Sequence, residues 1–149
     1  MIPLIFLLTT FLLLFTVNTF VLSNQLTLSF IGRASLAVML LVTGISHFTK
    51  TNLMMATMPE FMPLKKETVY VTGVLELLAV VGLLIDRTAE ITAVCLIIFF
   101  LCILPANIVG SLKEVDLGGM AKGKIYLFFR IPLQFFFILW TYYFGIRIH

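Results

Sequence analysis

TVYVTGVLELLAVVGLLI, residues 68–85, decides the fold. The run is long and apolar enough to cross a bilayer as a helix. Near its middle stands one carboxylate, Glu76. A charged group at the membrane centre costs about 2.5–3.5 kcal/mol on insertion scales. Nothing else within the run offsets that cost, so side chains from other helices are expected to face Glu76.

The whole chain agrees with a membrane setting. Of its 149 residues, 61% are hydrophobic and 11% charged, and the mean hydropathy is +1.14. A soluble domain carries about a quarter charged residues. The net charge of +3 is spread over loops. It forms no basic stripe interleaved with aromatics, which excludes nucleic acid as a partner and suits lysines facing a lipid surface. The first apolar run has neither a basic flank nor a small-residue cleavage site. It is read as a retained helix over 2–23.

Outward from Glu76, hydropathy predicts one transmembrane domain over 1–149. It is all-α, an antiparallel bundle of five spans at 2–23, 27–49, 67–85, 89–112 and 123–146. Ser23, Asn24 and Gln25 make a polar turn between the first two spans. Thr9, Thr16 and Thr19 can bond their own backbone or a neighbouring helix. Arg33 is expected to snorkel to the surface near its helix start, and Gly44 to admit a close neighbour. Thr88 is the expected N-cap of the fourth span, and Asp86 or Glu90 is expected to match Arg33 or Arg87. Pro105 should kink that span. Trp140, Tyr142 and Tyr143 read as an aromatic belt.

Residues 50–66 are too polar and proline-broken to span. They are expected to lie at the bilayer edge, with a short helix over about 51–58 and a kink at Pro59 and Pro63. An ordinary connector accounts for this segment; a methionine-rich lid over a cavity is the sharper reading. Lys50, Lys65, Lys66, Lys113, Lys122 and Lys124 fall on one side of the five-span order, and Arg33, Arg87 and Arg147 on the other. The positive-inside rule then puts the lysine loops and the N-terminus in the cytoplasm.

Cys95 and Cys102 lie seven apart on one helix, about 10 Å by helical rise. That is too far for a disulfide with each other, so both are expected to be small apolar core residues. His47 and His149 are the only histidines. No metal centre and no bound cofactor are expected.

Counted from the lysine side, His47, Glu76, Asn107, Arg130 and Gln134 fall in one half of the membrane. They come from four spans. Buried polar groups in membranes face the interior and pair with one another. The expected central pair is Glu76 with Arg130, a bidentate match, joined by His47, Asn107 and Gln134. Three readings stay open. One is a polar staple fixing helix register. Another is a pocket for a lipid-soluble, quinone- or isoprenoid-like molecule. The third is catalysis, with His47 and Glu76 as candidate catalytic residues moving a proton.

The ordered residues resemble the DoxX family of small bacterial membrane proteins. They are Arg33, GISHF around His47, MPEFMP at 58–63, TGVLELLAVVGLL around Glu76, LPANI around Asn107, RIPLQ at 130–134 and FILW at 137–140. The likeness covers residues 30–146, about four helices, so the first span looks like an addition to a compact four-helix bundle. The resemblance implies the bacterial inner membrane and a redox-linked accessory role. The family takes its name from a subunit linked with a thiosulfate:quinone oxidoreductase, and other members are tied to oxidative stress and thiol balance. Similar small bundles include a receptor-assembly chaperone and sterol-binding or sterol-isomerising proteins. By position, His47, Glu76, Asn107, Arg130 and Gln134 match the family's polar residues. A membrane protein partner or a second copy of the chain fits the same likeness.

Overall fold

A computed structural model describes residues 2–56, 58, 62–112 and 124–148. The elements are α1 (Ile2–Phe20), α2 (Leu28–Thr49), α3 (Thr51–Ala56), α4 (Lys65–Leu84), α5 (Asp86–Leu112), α6 (Lys124–Tyr142) and a π-helical turn (Tyr143–Arg147). No strand occurs among the described residues. The last loop expected at 113–123, and Pro59 of the expected kink, lie outside the described residues.

Four helices are long and apolar enough to cross a membrane: Ile2–Phe20, Leu28–Thr49, Lys65–Leu84 and Asp86–Val109. Their outward faces are apolar as well; Leu12, Leu13, Leu78, Ile91 and Ile98 are all exposed. A soluble protein rarely leaves so much hydrocarbon in water. The chain is compatible with a membrane-inserted protein. The fifth expected span corresponds to α6.

The core explains why α2 is the central helix. Leu36, Ala37, Met39 and Leu40 of α2 pack with Leu7 of α1, Ala79 and Leu83 of α4, Leu96 and Phe100 of α5, and Phe137 of α6. More than half of the apolar window of α2 is buried, against about a tenth of that of α1. α1 packs along α2 with Leu7 in the core, and its end is tied to the turn that follows. Asn18 is buried there; its amide donates to the Leu26 carbonyl at 3.0 Å, and its carbonyl accepts from the Leu26 N–H at 2.8 Å. Ser23 and Asn24 take positive φ, 51° and 61°. The turn therefore closes earlier than hydropathy suggests, and α1 ends at Phe20 rather than Ser23. The hydroxyls of Thr9, Thr16 and Thr19 all return to carbonyls of their own helix.

Asn18→Ala should lower stability by about 1–2 kcal/mol, since it leaves two part-buried backbone groups of Leu26 without their partner. Thr19→Ala, which removes only a bond within α1, should cost much less. Thermal unfolding in mild detergent measures both, and equal shifts would contradict the role given to Asn18.

Several local expectations need correction. Arg33 does not reach the surface; it is 3% exposed. Its guanidinium donates to the Leu83 carbonyl at 3.2 Å and pairs with Asp86, whose side chain is 80% exposed. The last carbonyls of a helix lack partners within it, and a cation there also meets the negative end of the helix dipole. The C-terminus of α4 thus draws the arginine inward.

Thr88 is not the N-cap of α5. That helix begins at Asp86, and the Thr88 hydroxyl donates back to the Gly82 carbonyl at 2.9 Å. Cys95 and Cys102 are exposed rather than in the core, because α5 turns Ala93, Leu96 and Phe100 inward instead. Trp140 belongs to an interior cluster rather than to a belt. Its indole N–H donates to the Gly32 carbonyl at 3.1 Å, and its ring lies 4.7 Å from Phe144 and 5.0 Å from Phe11. Tyr142 and Tyr143 are exposed. The π-helical turn is joined to α2 as well: the Phe144 carbonyl takes the Ser29 hydroxyl at 2.9 Å.

Candidate functional site

Glu76 sits where α2 and α4 come closest, and two glycines make the approach. A Cβ on Gly73 would lie 2.7 Å from the His47 Cβ and 3.3 Å from the Gly44 carbonyl oxygen. A Cβ on Gly44 would lie 2.9 Å from Leu77 and 3.4 Å from the Gly73 oxygen. Residues four apart share a helix face. Thr43 and His47 therefore flank Gly44 on α2, and Thr72 and Glu76 flank Gly73 on α4. The two helices run antiparallel, so Thr43 meets Glu76 and His47 meets Thr72.

The contacts are specific. The Thr43 hydroxyl donates to Glu76 Oε2 at 2.6 Å. It could instead serve the Met39 or Leu40 carbonyls, but both are 3.2 Å away. His47 Nε2 lies 3.5 Å from Glu76 Oε1. Its Nδ1 lies 3.0 Å from the Val69 carbonyl oxygen and 3.1 Å from the Thr72 hydroxyl. That hydroxyl is itself within 2.9 Å of the Thr68 and Val69 carbonyls.

The Val69 carbonyl can only accept, whereas the Thr72 hydroxyl can donate or accept, so the contacts at Nδ1 suit either tautomer of the ring. Nε2 faces the carboxyl group at 3.5 Å, longer than an ordinary hydrogen bond. The buried carboxyl group thus has a hydroxyl and an imidazole beside it rather than an apolar wall.

The other three residues form a separate group between α5 and α6. Arg130 Nη2 donates to Asn107 Oδ1 at 2.7 Å, and Asn107 Nδ2 donates to Gln134 Oε1 at 3.1 Å. Gln134 Nε2 donates to the Phe100 carbonyl at 3.0 Å, in the stretch of α5 just before Pro105. Arg130 and Gln134 are again four apart, so one face of α6 supplies both.

The expected Glu76–Arg130 pair therefore does not form. The carboxylate faces α2 across the glycine contact, and the guanidinium faces Asn107 on α5. Depth along the membrane brought the five residues to one level in the sequence reading, but rotation about each helix axis divides them into two groups. Sequence reasoning also missed Thr43 and Thr72. Their signal was present: each lies four residues from a site residue and next to a glycine.

The described residues are helical throughout their regular structure, and four of the helices are compatible with membrane insertion. The chain belongs to the family described as a domain of unknown function (DUF8561), whose model matches residues 36–145. That span takes in His47, Glu76, Asn107, Arg130 and Gln134, and leaves α1 and Arg33 outside. No curated protein and no solved structure matches the chain.

Proposed function

We propose that the chain is a DoxX-like accessory protein that binds a lipid-soluble, quinone- or isoprenoid-like molecule beside His47 and Glu76, in connection with redox metabolism. In this reading α1 and α6 join the other long helices in a five-span antiparallel bundle. It lies in the bacterial inner membrane, with the lysine end and the N-terminus in the cytoplasm. The likeness to DoxX rests on the ordered residues from Arg33 to Trp140.

The observation that carries the reading is the His47–Glu76 pair. It sets an imidazole 3.5 Å from a buried carboxyl group within an apolar protein. The imidazole is the more open partner, with 16% of its side chain exposed against 6% for the carboxyl. A carbonyl or hydroxyl on an incoming molecule meets the ring first, and the carboxyl stands behind it.

Native mass spectrometry of the full chain in mild detergent tests this. An organic molecule should co-purify, and Glu76→Gln should weaken its retention about tenfold with little change in thermal stability, since the amide keeps an acceptor for the Thr43 hydroxyl and a polar group beside His47. That factor corresponds to the loss of about one hydrogen bond. Absence of any such molecule from the wild-type protein would remove the reading.

A second reading, a structural subunit or assembly factor, draws on the polar satisfaction itself. Glu76 is held by Thr43 and His47, and Gln134 by Asn107 and the Phe100 carbonyl. On that reading a protein partner co-purifies instead, and substitutions in either group lower stability without touching ligand retention.

A further inference from the structure

A groove of about 410 Å³ opens where the end of α2, the short α3 and the first turns of α4 meet. Lys50, Lys66, Asn52, Thr49, Phe48 and Tyr70 are among the residues that line it. The volume falls within the usual range for small-molecule sites. Its polar lining consists of ammonium, hydroxyl and amide groups, and no acid occurs among its described lining residues. Glu67, the acid in the first turn of α4, does not line it.

The site is built rather than merely charged. The Phe48 and Tyr70 rings stack at 5.7 Å with 11° between their planes. The Lys66 ammonium sits 5.8 Å from the Tyr70 ring centroid. A cation over an aromatic face is held there by the ring quadrupole, so one ammonium is positioned before any ligand arrives. Lys50 supplies the second.

An apolar track leads away from the groove. Leu41 and Ile45 precede Phe48 on one stripe of α2, and Val74 and Leu78 follow Tyr70 on one stripe of α4. All four are exposed. A cationic head site above an exposed hydrocarbon stripe matches an amphiphile with an anionic head.

We propose that this groove binds the phosphate headgroup of an anionic membrane phospholipid, with Lys50 and Lys66 on the phosphate and the acyl chains along α2 and α4. The inference requires insertion in a membrane and is independent of any ligand at His47 and Glu76. Phosphate is also a soluble anion, but the apolar track favours the lipid.

The test uses the full chain in mild detergent with phosphatidylglycerol and phosphatidylcholine supplied in equal amounts. Native mass spectrometry counts the lipid adducts. Wild type should retain phosphatidylglycerol about thirtyfold over phosphatidylcholine, in line with two basic residues near an anionic lipid. Lys66→Gln should weaken the preference, and the double variant Lys50→Gln/Lys66→Gln should lose it. Lys65→Gln, which removes the same charge next door without lining the groove, should keep it. Thermal midpoints, read alongside, should match wild type for all of these surface changes.

Equal retention of the two lipids by wild type would overturn the proposal. So would loss of the preference in Lys65→Gln to the extent seen in Lys66→Gln, which would mean diffuse surface attraction. Displacement of phosphatidylglycerol by millimolar inorganic phosphate would make a soluble anion the occupant and overturn the lipid assignment.

Discussion

His47→Leu is expected to destabilise the protein by about 2 kcal/mol, since it takes a polar partner from a buried carboxyl group. The substitution leaves Glu76 with Thr43 as its remaining described partner and an apolar side chain where the imidazole stood. Glu76→Leu added to the same chain should recover most of the loss, since two apolar groups of suitable volume replace a buried pair at little cost. A double-mutant cycle, read from unfolding in detergent at fixed lipid content, gives the coupling directly. Additive losses from the two single changes would mean that His47 and Glu76 do not act as a pair.

The second large effect concerns Gly73. In a free helix, glycine to alanine stabilises by about 1 kcal/mol. Here the sign should reverse. The new methyl would stand 2.7 Å from the His47 Cβ, and neither atom can swing away because both are fixed to backbones. The helices must separate. Overpacking of this kind costs about 1–3 kcal/mol, and separation also stretches the 2.6 Å bond from Thr43 to Glu76. Gly73→Leu should be worse still, and should disturb both groups that hold His47 Nδ1. The thermal midpoint in detergent checks this; a rise for Gly73→Ala would show that the close contact of α2 and α4 is absent.

Glu76 and Gly73 also show what a sequence reveals and what it withholds. Hydropathy is a sum along the chain, so the long apolar helices were legible before any packing was known. Gly44 was legible too, because a small residue in an apolar run has few other uses. Partnership was not. Whether Glu76 faces α2 or α6 depends on rotation about the axis of α4, which is set by the glycine contact, the core around Leu36 and Leu83, and the capture of Arg33 by the Leu83 carbonyl. These are contacts between residues tens of positions apart. Arg33 was misplaced for that reason: near a helix start it looks like a surface anchor, and the carbonyl that binds it lies 50 residues on. Cys95, Cys102 and Trp140 were misjudged alike, since a residue's type does not say which way its helix turns it. The groove at Lys50 and Lys66 went unseen because it needs the fold of α3 against α4, while its lysines read simply as a basic loop.

The two contacts at His47 Nδ1 have one more effect. The Val69 carbonyl and the Thr72 hydroxyl both belong to α4, within one turn of Gly73. The ring that stands over the glycine contact is therefore fastened to the same helix that carries Glu76. Register between α2 and α4 is recorded in that one side chain: a slide of either helix by a residue would cost the imidazole its fastening and the glycines their fit at the same moment.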